Sequence, residues 1–194
     1  MKSILSPAAV VVGIALLFFV LYQQGSTIIP GLAGEVPSME ASDTEATDMS
    51  LLNVRAPYFD LPNINGDHVT LDSFSNTPLV VVFWTTTSGD GADQIKILDD
   101  YLASPDVDQQ LVQVVAINSQ EEKSVITAFM RRGGYTVPTL IDSRGVVTEQ
   151  YKVRGIPVFY FLDGGGVVRE IYTGILSARM VGDKVEQLLR GATL

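Results

Sequence analysis

The chain has 194 residues, 46% of them hydrophobic, with 13 Lys and Arg against 22 Asp and Glu and a formal net charge of -9. That is room for one ordinary domain plus a tail, with enough apolar content for a core. No run of Lys or Arg occurs, which argues against a nucleic-acid partner, and the absence of Cys excludes disulfides, thiolate metal sites and cysteine nucleophiles within the chain.

From Ile4 to Tyr22 the chain is almost continuously apolar. A membrane-spanning helix needs roughly 20 such residues, so residues 1–24 are expected to form a transmembrane signal anchor, with 4–22 in the membrane. Lys2 precedes the run, and no Lys, Arg or His occurs between Gln23 and Val54. By the positive-inside rule the N-terminus is then cytoplasmic and the rest lies on the periplasmic or extracellular side. A competing reading is a signal peptide cut after Ala33, in Gly31-Leu32-Ala33, which releases a secreted domain. That site stands far from the apolar run, and the run is long for a signal peptide. Residues 25–52 follow as an acidic linker. Glu35 to Asp48 is polar and aperiodic, the pattern of a flexible spacer.

The folded domain is expected over 53–194. Ala56-Pro57-Tyr58-Phe59-Asp60-Leu61-Pro62 reads as extended, and Asn65-Gly66-Asp67 as a hairpin turn leading to Val69-Thr70-Leu71. Leu79 to Trp84 is a continuous apolar run, the mark of a strand buried on both faces. A polar bend, Thr85 to Gly91, precedes a helix with Ala92, Ile95, Leu98 and Leu102 on its buried side and Asp90 as its expected cap. A second buried strand is expected over Leu111 to Ile117. The next helix runs from Glu121 to Arg132, burying Val125, Ile126, Phe129 and Met130, and stops at Gly133-Gly134. Extended chain at Val137 to Asp142 and a short helix over Val146 to Val153 follow. Two strands, Pro157 to Leu162 and Val167 to Tyr172, flank Asp163-Gly164-Gly165-Gly166. A last helix opened by Ser177 buries Val181, Val185, Leu188 and Leu189. Strands alternating with helices give an α/β fold: one central mixed sheet, parallel at its core, with helices on both faces and an N-terminal hairpin extension.

Several of these segments together resemble a family. Ala56-Pro57-x-Phe59-x-Leu61, Gly66 and Val69-x-Leu71 resemble the opening of the TlpA/ResA-type thioredoxin-like proteins and the related redoxins. Val82-Phe83-Trp84-x-Thr86 is similar to the strand end that leads into their active site. Val137-Pro138-x-Leu140-Ile141-Asp142-x-x-Gly145 matches the region before their cis-proline. Tyr151-x-Val153-Arg154-Gly155-Ile156-Pro157-x-x-x-Phe161-Leu162-Asp163-x-x-Gly166 matches the cis-proline segment and the hairpin after it. The resemblance spans 53–189 and implies a thioredoxin-like fold with no cofactor.

The chain departs from that family at its chemical centre. Where the resemblance implies Cys-x-x-Cys, this chain has Ser88-Gly89-Asp90-Gly91, with Ser88 at the nucleophilic position and Gly91 at the resolving one. A thiol at a helix N-terminus has its pKa lowered and attacks as the thiolate. A serine hydroxyl neither ionises there nor exchanges disulfides, so no thiol–disulfide turnover is expected. A serine hydrolase needs a base beside its nucleophile, and the one His, His68, sits in the first hairpin; Ser88 is instead expected to serve as a loop or capping hydroxyl. Asp90 and Asp93 repel a phosphate from the helix start, and Asp90, Asp93, Asp99 and Asp100 fall on different helix faces, which argues against a metal site. What the resemblance leaves standing is a surface groove of Trp84, Thr87, Ser88, Ile156 and Pro157. There the backbone before the proline can pair with an extended segment of another extracytoplasmic protein or peptide, a pairing that needs no thiol, and the alternative is that Pro157 serves as a structural turn alone. The family-type activity, a thiol–disulfide oxidoreductase or peroxidase, and a purely structural envelope spacer are the competing expectations.

Overall fold

The computed structural model describes residues 48–191. The expected anchor at 4–22, the Ala33 cleavage site and the linker up to residue 47 lie outside the described residues. Among the described residues, no helix is long and apolar enough to cross a membrane.

Strands β1 (Asp60–Pro62) and β2 (His68–Thr70) form the antiparallel hairpin around Gly66. The main sheet has five strands: β3 (Leu79–Trp84), β4 (Gln113–Ser119), β5 (Thr139–Asp142), β6 (Val158–Leu162) and β7 (Val168–Thr173). Their order is β5-β4-β3-β6-β7. β3, β4 and β5 run parallel, β6 is antiparallel to β3, and β7 is antiparallel to β6. The helices are α1 (Gly89–Leu102), α2 (Lys123–Gly133), α3 (Val146–Gln150) and α4 (Ala178–Gly191).

β3 explains the layering. Its side chains alternate between faces, and both faces are covered, so every residue in it is buried. Val80, Val82 and Trp84 join a core with Ile95, Leu98, Ile126, Met130, Val181 and Val185, drawn from α1, α2 and α4. Leu79, Val81 and Phe83 join the opposite core with Leu51, Phe59, Leu61, Val147 and Tyr151. The crossovers through α1 and α2 step the same way across the sheet, so right-handed connections place both helices on one face. The hairpin and α3 cover the other.

Boundaries move for identifiable reasons. The domain begins by Met49 rather than Asn53: a 3-10 turn at Met49–Leu51 buries Leu51, and the Asn53 N–H donates to the Val168 carbonyl. Leu111 lies in a turn and is 55% exposed, so β4 starts at Gln113. α2 starts at Lys123 and points Ile126 and Met130 inward, leaving Val125 exposed and Phe129 half-buried. Gly134, in the left-handed region at φ 69°, caps its C-terminus. α3 ends at Gln150, short of Val153, and Lys152 beyond it has φ 54°. Leu189 is only partly buried.

Candidate functional site

The parallel strands β3 and β4 end at Trp84 and Ser119, and the segments after them meet at one end of the sheet. Ser88, in extended conformation, caps α1: its Oγ accepts from the Gly91 N–H at 3.2 Å. Asp90, the other capping candidate, lies inside the first turn because the helix starts at Gly89. The Thr85 Oγ1 accepts from the Ser88 N–H at 3.1 Å, so the loop is closed by its own hydroxyls. Ser88 is thus a capping residue, and His68 bonds Asp60 at 2.6 Å in the hairpin rather than serving Ser88.

Gly91 is buried, and its backbone is tightly enclosed. A Cβ built there would stand 2.8 Å from the Thr85 carbonyl oxygen, 3.1 Å from the Thr85 nitrogen and 3.2 Å from Ile156 Cγ2. The first of these is closer than real Cβ contacts come, so the loop as folded has no room for a side chain at the resolving position. The same contact brings Ile156 against the start of α1.

The Ile156–Pro157 bond is cis, as the resemblance implies. Pro157 is buried and Ile156 half-buried. Among the described residues the Ile156 N–H and carbonyl have no hydrogen-bond partner. The Pro157 carbonyl accepts from the Gly174 N–H at 2.8 Å, which sets the exposed Ile175 beside this segment. Gln94, wholly buried on α1, fixes that neighbour from below: its Nε2 donates to the Leu176 carbonyl at 3.1 Å and its Oε1 accepts from the Leu176 N–H at 2.7 Å.

The structure therefore brings Thr87, Ser88, Gly91 and Ile156 together, with Thr87 exposed. It does not place Trp84 on the surface. Trp84 is fully buried and packs, tilted, against Phe129 at 5.3 Å between centroids, so it offers no surface to a partner. Pro157 is buried as well. Of the acidic residues on α1, Asp99 accepts from the Thr136 N–H and hydroxyl and Asp100 pairs with Lys96.

The sequence reading missed Glu121. Freed by the late start of α2, its carboxylate accepts from the Thr86 N–H (2.7 Å), the Thr86 hydroxyl (2.8 Å) and Asn118 Nδ2 (2.7 Å). Burial pushes its pKa up, but the donors at Thr86, Asn118 and Thr87 outweigh burial and hold it below the ordinary 4.5.

With this geometry in view, the model of the AhpC/TSA family matches residues 52–171, well over half of the chain. The chain belongs to the AhpC/TSA family. Thiol-disulfide oxidoreductase ResA of Bacillus subtilis is 26% identical over 140 residues, covering 71% of this chain and 76% of that protein. Among solved structures, StoA from Bacillus subtilis superposes with a TM-score of 0.59 at 18% identity, over 66% of this chain and 96% of that one. A secreted Mycobacterium tuberculosis disulfide oxidoreductase superposes equally well, with a TM-score of 0.59 at 21% identity over 67% and 96%. The fold is thioredoxin-like. Its relatives carry the names of thiol-disulfide oxidoreductases, while this chain has no cysteine.

Proposed function

We propose that this protein is a redox-inactive binding module. Its thioredoxin-like domain is held outside the cytoplasm by the N-terminal anchor and takes an extended segment of another extracytoplasmic protein. One observation carries the reading: the Ile156 N–H and carbonyl have no partner among the described residues, next to a former redox loop whose bonds are closed on itself. A backbone N–H and carbonyl left without protein partners are open to pairing, and an extended segment supplies both a donor and an acceptor by strand addition. Thr87 and Ser88 then border one side of the segment, and Ile156 and the exposed Ile175 offer apolar contact along it.

The names of the relatives favour the second reading, a thiol-disulfide oxidoreductase. That chemistry requires a thiolate to attack and a second thiol to resolve the mixed disulfide. Ser88 and Gly91 supply neither, and a side chain at Gly91 would force the Thr85 backbone to shift.

Site-specific photocrosslinking in the native membrane tests the module. A probe at Ser88 is expected to yield a discrete adduct, and a control probe at Gln187, exposed on α4, to yield none. Absence of a Ser88 adduct from a folded, correctly placed protein would favour the structural spacer. Disulfide reductase activity of the pure protein above a protein-free blank would restore the oxidoreductase.

A further inference from the structure

We propose, resting on the groove reading, that Glu121 is the positioning residue of the site: its carboxylate fixes the loop 85–88 against the Ile156–Pro157 segment. An ionised carboxylate offers about four acceptor positions. Three are taken here by neutral donors, two from Thr86 and one from Asn118. Among the described residues no Lys, Arg or His forms an ion pair with Glu121. The charge is therefore stabilised by hydrogen bonds alone, and it joins parts of the chain 35 residues apart.

Those parts define the site. Asn118 is wholly buried near the end of β4 and stands in register with Trp84, the last residue of β3. Thr86 is the second residue after Trp84. Glu121 thus ties the loop that follows β3 to the end of β4. The loop's remaining side-chain bonds, Ser88 N–H to Thr85 and Gly91 N–H to Ser88, stay within it. They shape the loop but do not attach it to the domain. Thr86 also follows Thr85, whose carbonyl closes over Gly91, and Gly91 in turn abuts Ile156. A shift of Thr86 therefore moves the groove wall that faces Ile156. With its N–H held by Glu121, Thr86 is turned toward the domain, while Thr87 beside it is exposed.

Amide hydrogen exchange on the full-length chain, read by mass spectrometry, tests the proposal in Glu121→Ala and Glu121→Gln. Glu121→Ala should raise exchange across 85–91 by about tenfold, while peptides from β6 and β7 stay within about twofold of the unaltered chain. Glu121→Gln keeps one acceptor oxygen and should fall between. Trp84, the single tryptophan, should shift its emission to the red in the same order. The Ser88 photocrosslink should weaken in that order too. Unchanged exchange across 85–91 in Glu121→Ala overturns the proposal, as does a rise shared equally by β6 and β7. A loosened loop with the adduct fully retained overturns the positioning role. If the unaltered chain gives no adduct, the groove reading fails by itself, and the exchange and emission still decide whether Glu121 fixes the loop.

Discussion

The loop 85–91 and the segment 154–157 touch each other, yet they differ in what their backbones leave available. The loop turns its bonds inward. Its hydroxyls cap its own N–H groups, Glu121 takes the Thr86 N–H, and the chain closes over Gly91 until a Cβ there would meet the Thr85 backbone. The other segment leaves the Ile156 N–H and carbonyl without partners among the described residues. On the proposed reading, losing the thiols from the loop leaves the backbone groups of the facing segment open to pair, so one function can go while the other stays.

The largest effect expected from breaking this contrast is at Gly91. Gly91→Ala forces a methyl against the Thr85 backbone and should destabilise the domain by about 1–3 kcal/mol in urea unfolding, the usual range for overpacking. Gly91→Cys should cost at least as much, so a Ser88→Cys/Gly91→Cys chain should be less stable than the unaltered one. Equal stability would show that the loop relaxes freely and that its closure over Gly91 is not a constraint.

Ser88→Ala comes next. It removes the capping acceptor for the Gly91 N–H and should lose about 1 kcal/mol, whereas Ser88→Asn, another good cap, should lose little. A loss shared by both variants would point to something other than capping.

Acid should sharpen the same contrast. Glu121 and Asp163 both titrate below their ordinary values of 4.5 and 3.8. In each, burial pushes upward and is outweighed by hydrogen bonds, joined for Asp163 by Arg169. A carboxylate held below its unfolded value stabilises the fold fully above that value, and the contribution is lost as pH falls through the folded one. Stability should therefore decline as pH drops below about 4.5, and Glu121→Gln should flatten the decline. An identical acid profile in Glu121→Gln would remove Glu121 from the account.

Gly89 should give the smallest effect. A Cβ there meets nothing within 4 Å, so Gly89→Ala should change stability by no more than about 0.5 kcal/mol. Together with Gly91→Ala it separates two glycines of one motif, one free and one enclosed.

Much of the fold was legible because its signals are local. Leu79 to Trp84 reads as a buried strand because both faces are covered, and Ile95 and Leu98 announce the buried side of α1 by spacing alone. The cap was ambiguous for a local reason as well: Ser88 and Asp90 are both good capping residues, and only the observed start at Gly89 decides between them. Val125 faces solvent because it lies about 100° round the helix from Ile126, off the stripe that Ile126 and Met130 bury. Trp84 was read as groove wall because it adjoins the loop in sequence, whereas strand alternation turns it into the core. Glu121 and Gln94 had no local signal at all. The loop partner of Glu121 lies 35 residues away and that of Gln94 82 residues away, and they meet only once the sheet has formed.

The central claim is that the Ile156 backbone pairs with an extended partner, and replacing Ile156 by its α-hydroxy acid tests it most directly. That change converts the Ile156 N–H to an ester oxygen and keeps the side chain. Losing one such hydrogen bond is worth about 1 kcal/mol, or roughly a fivefold change. The account predicts that the Ser88-probe adduct falls by about that factor while the Gln187 control and the melting transition stay unchanged. An adduct of undiminished yield would contradict it.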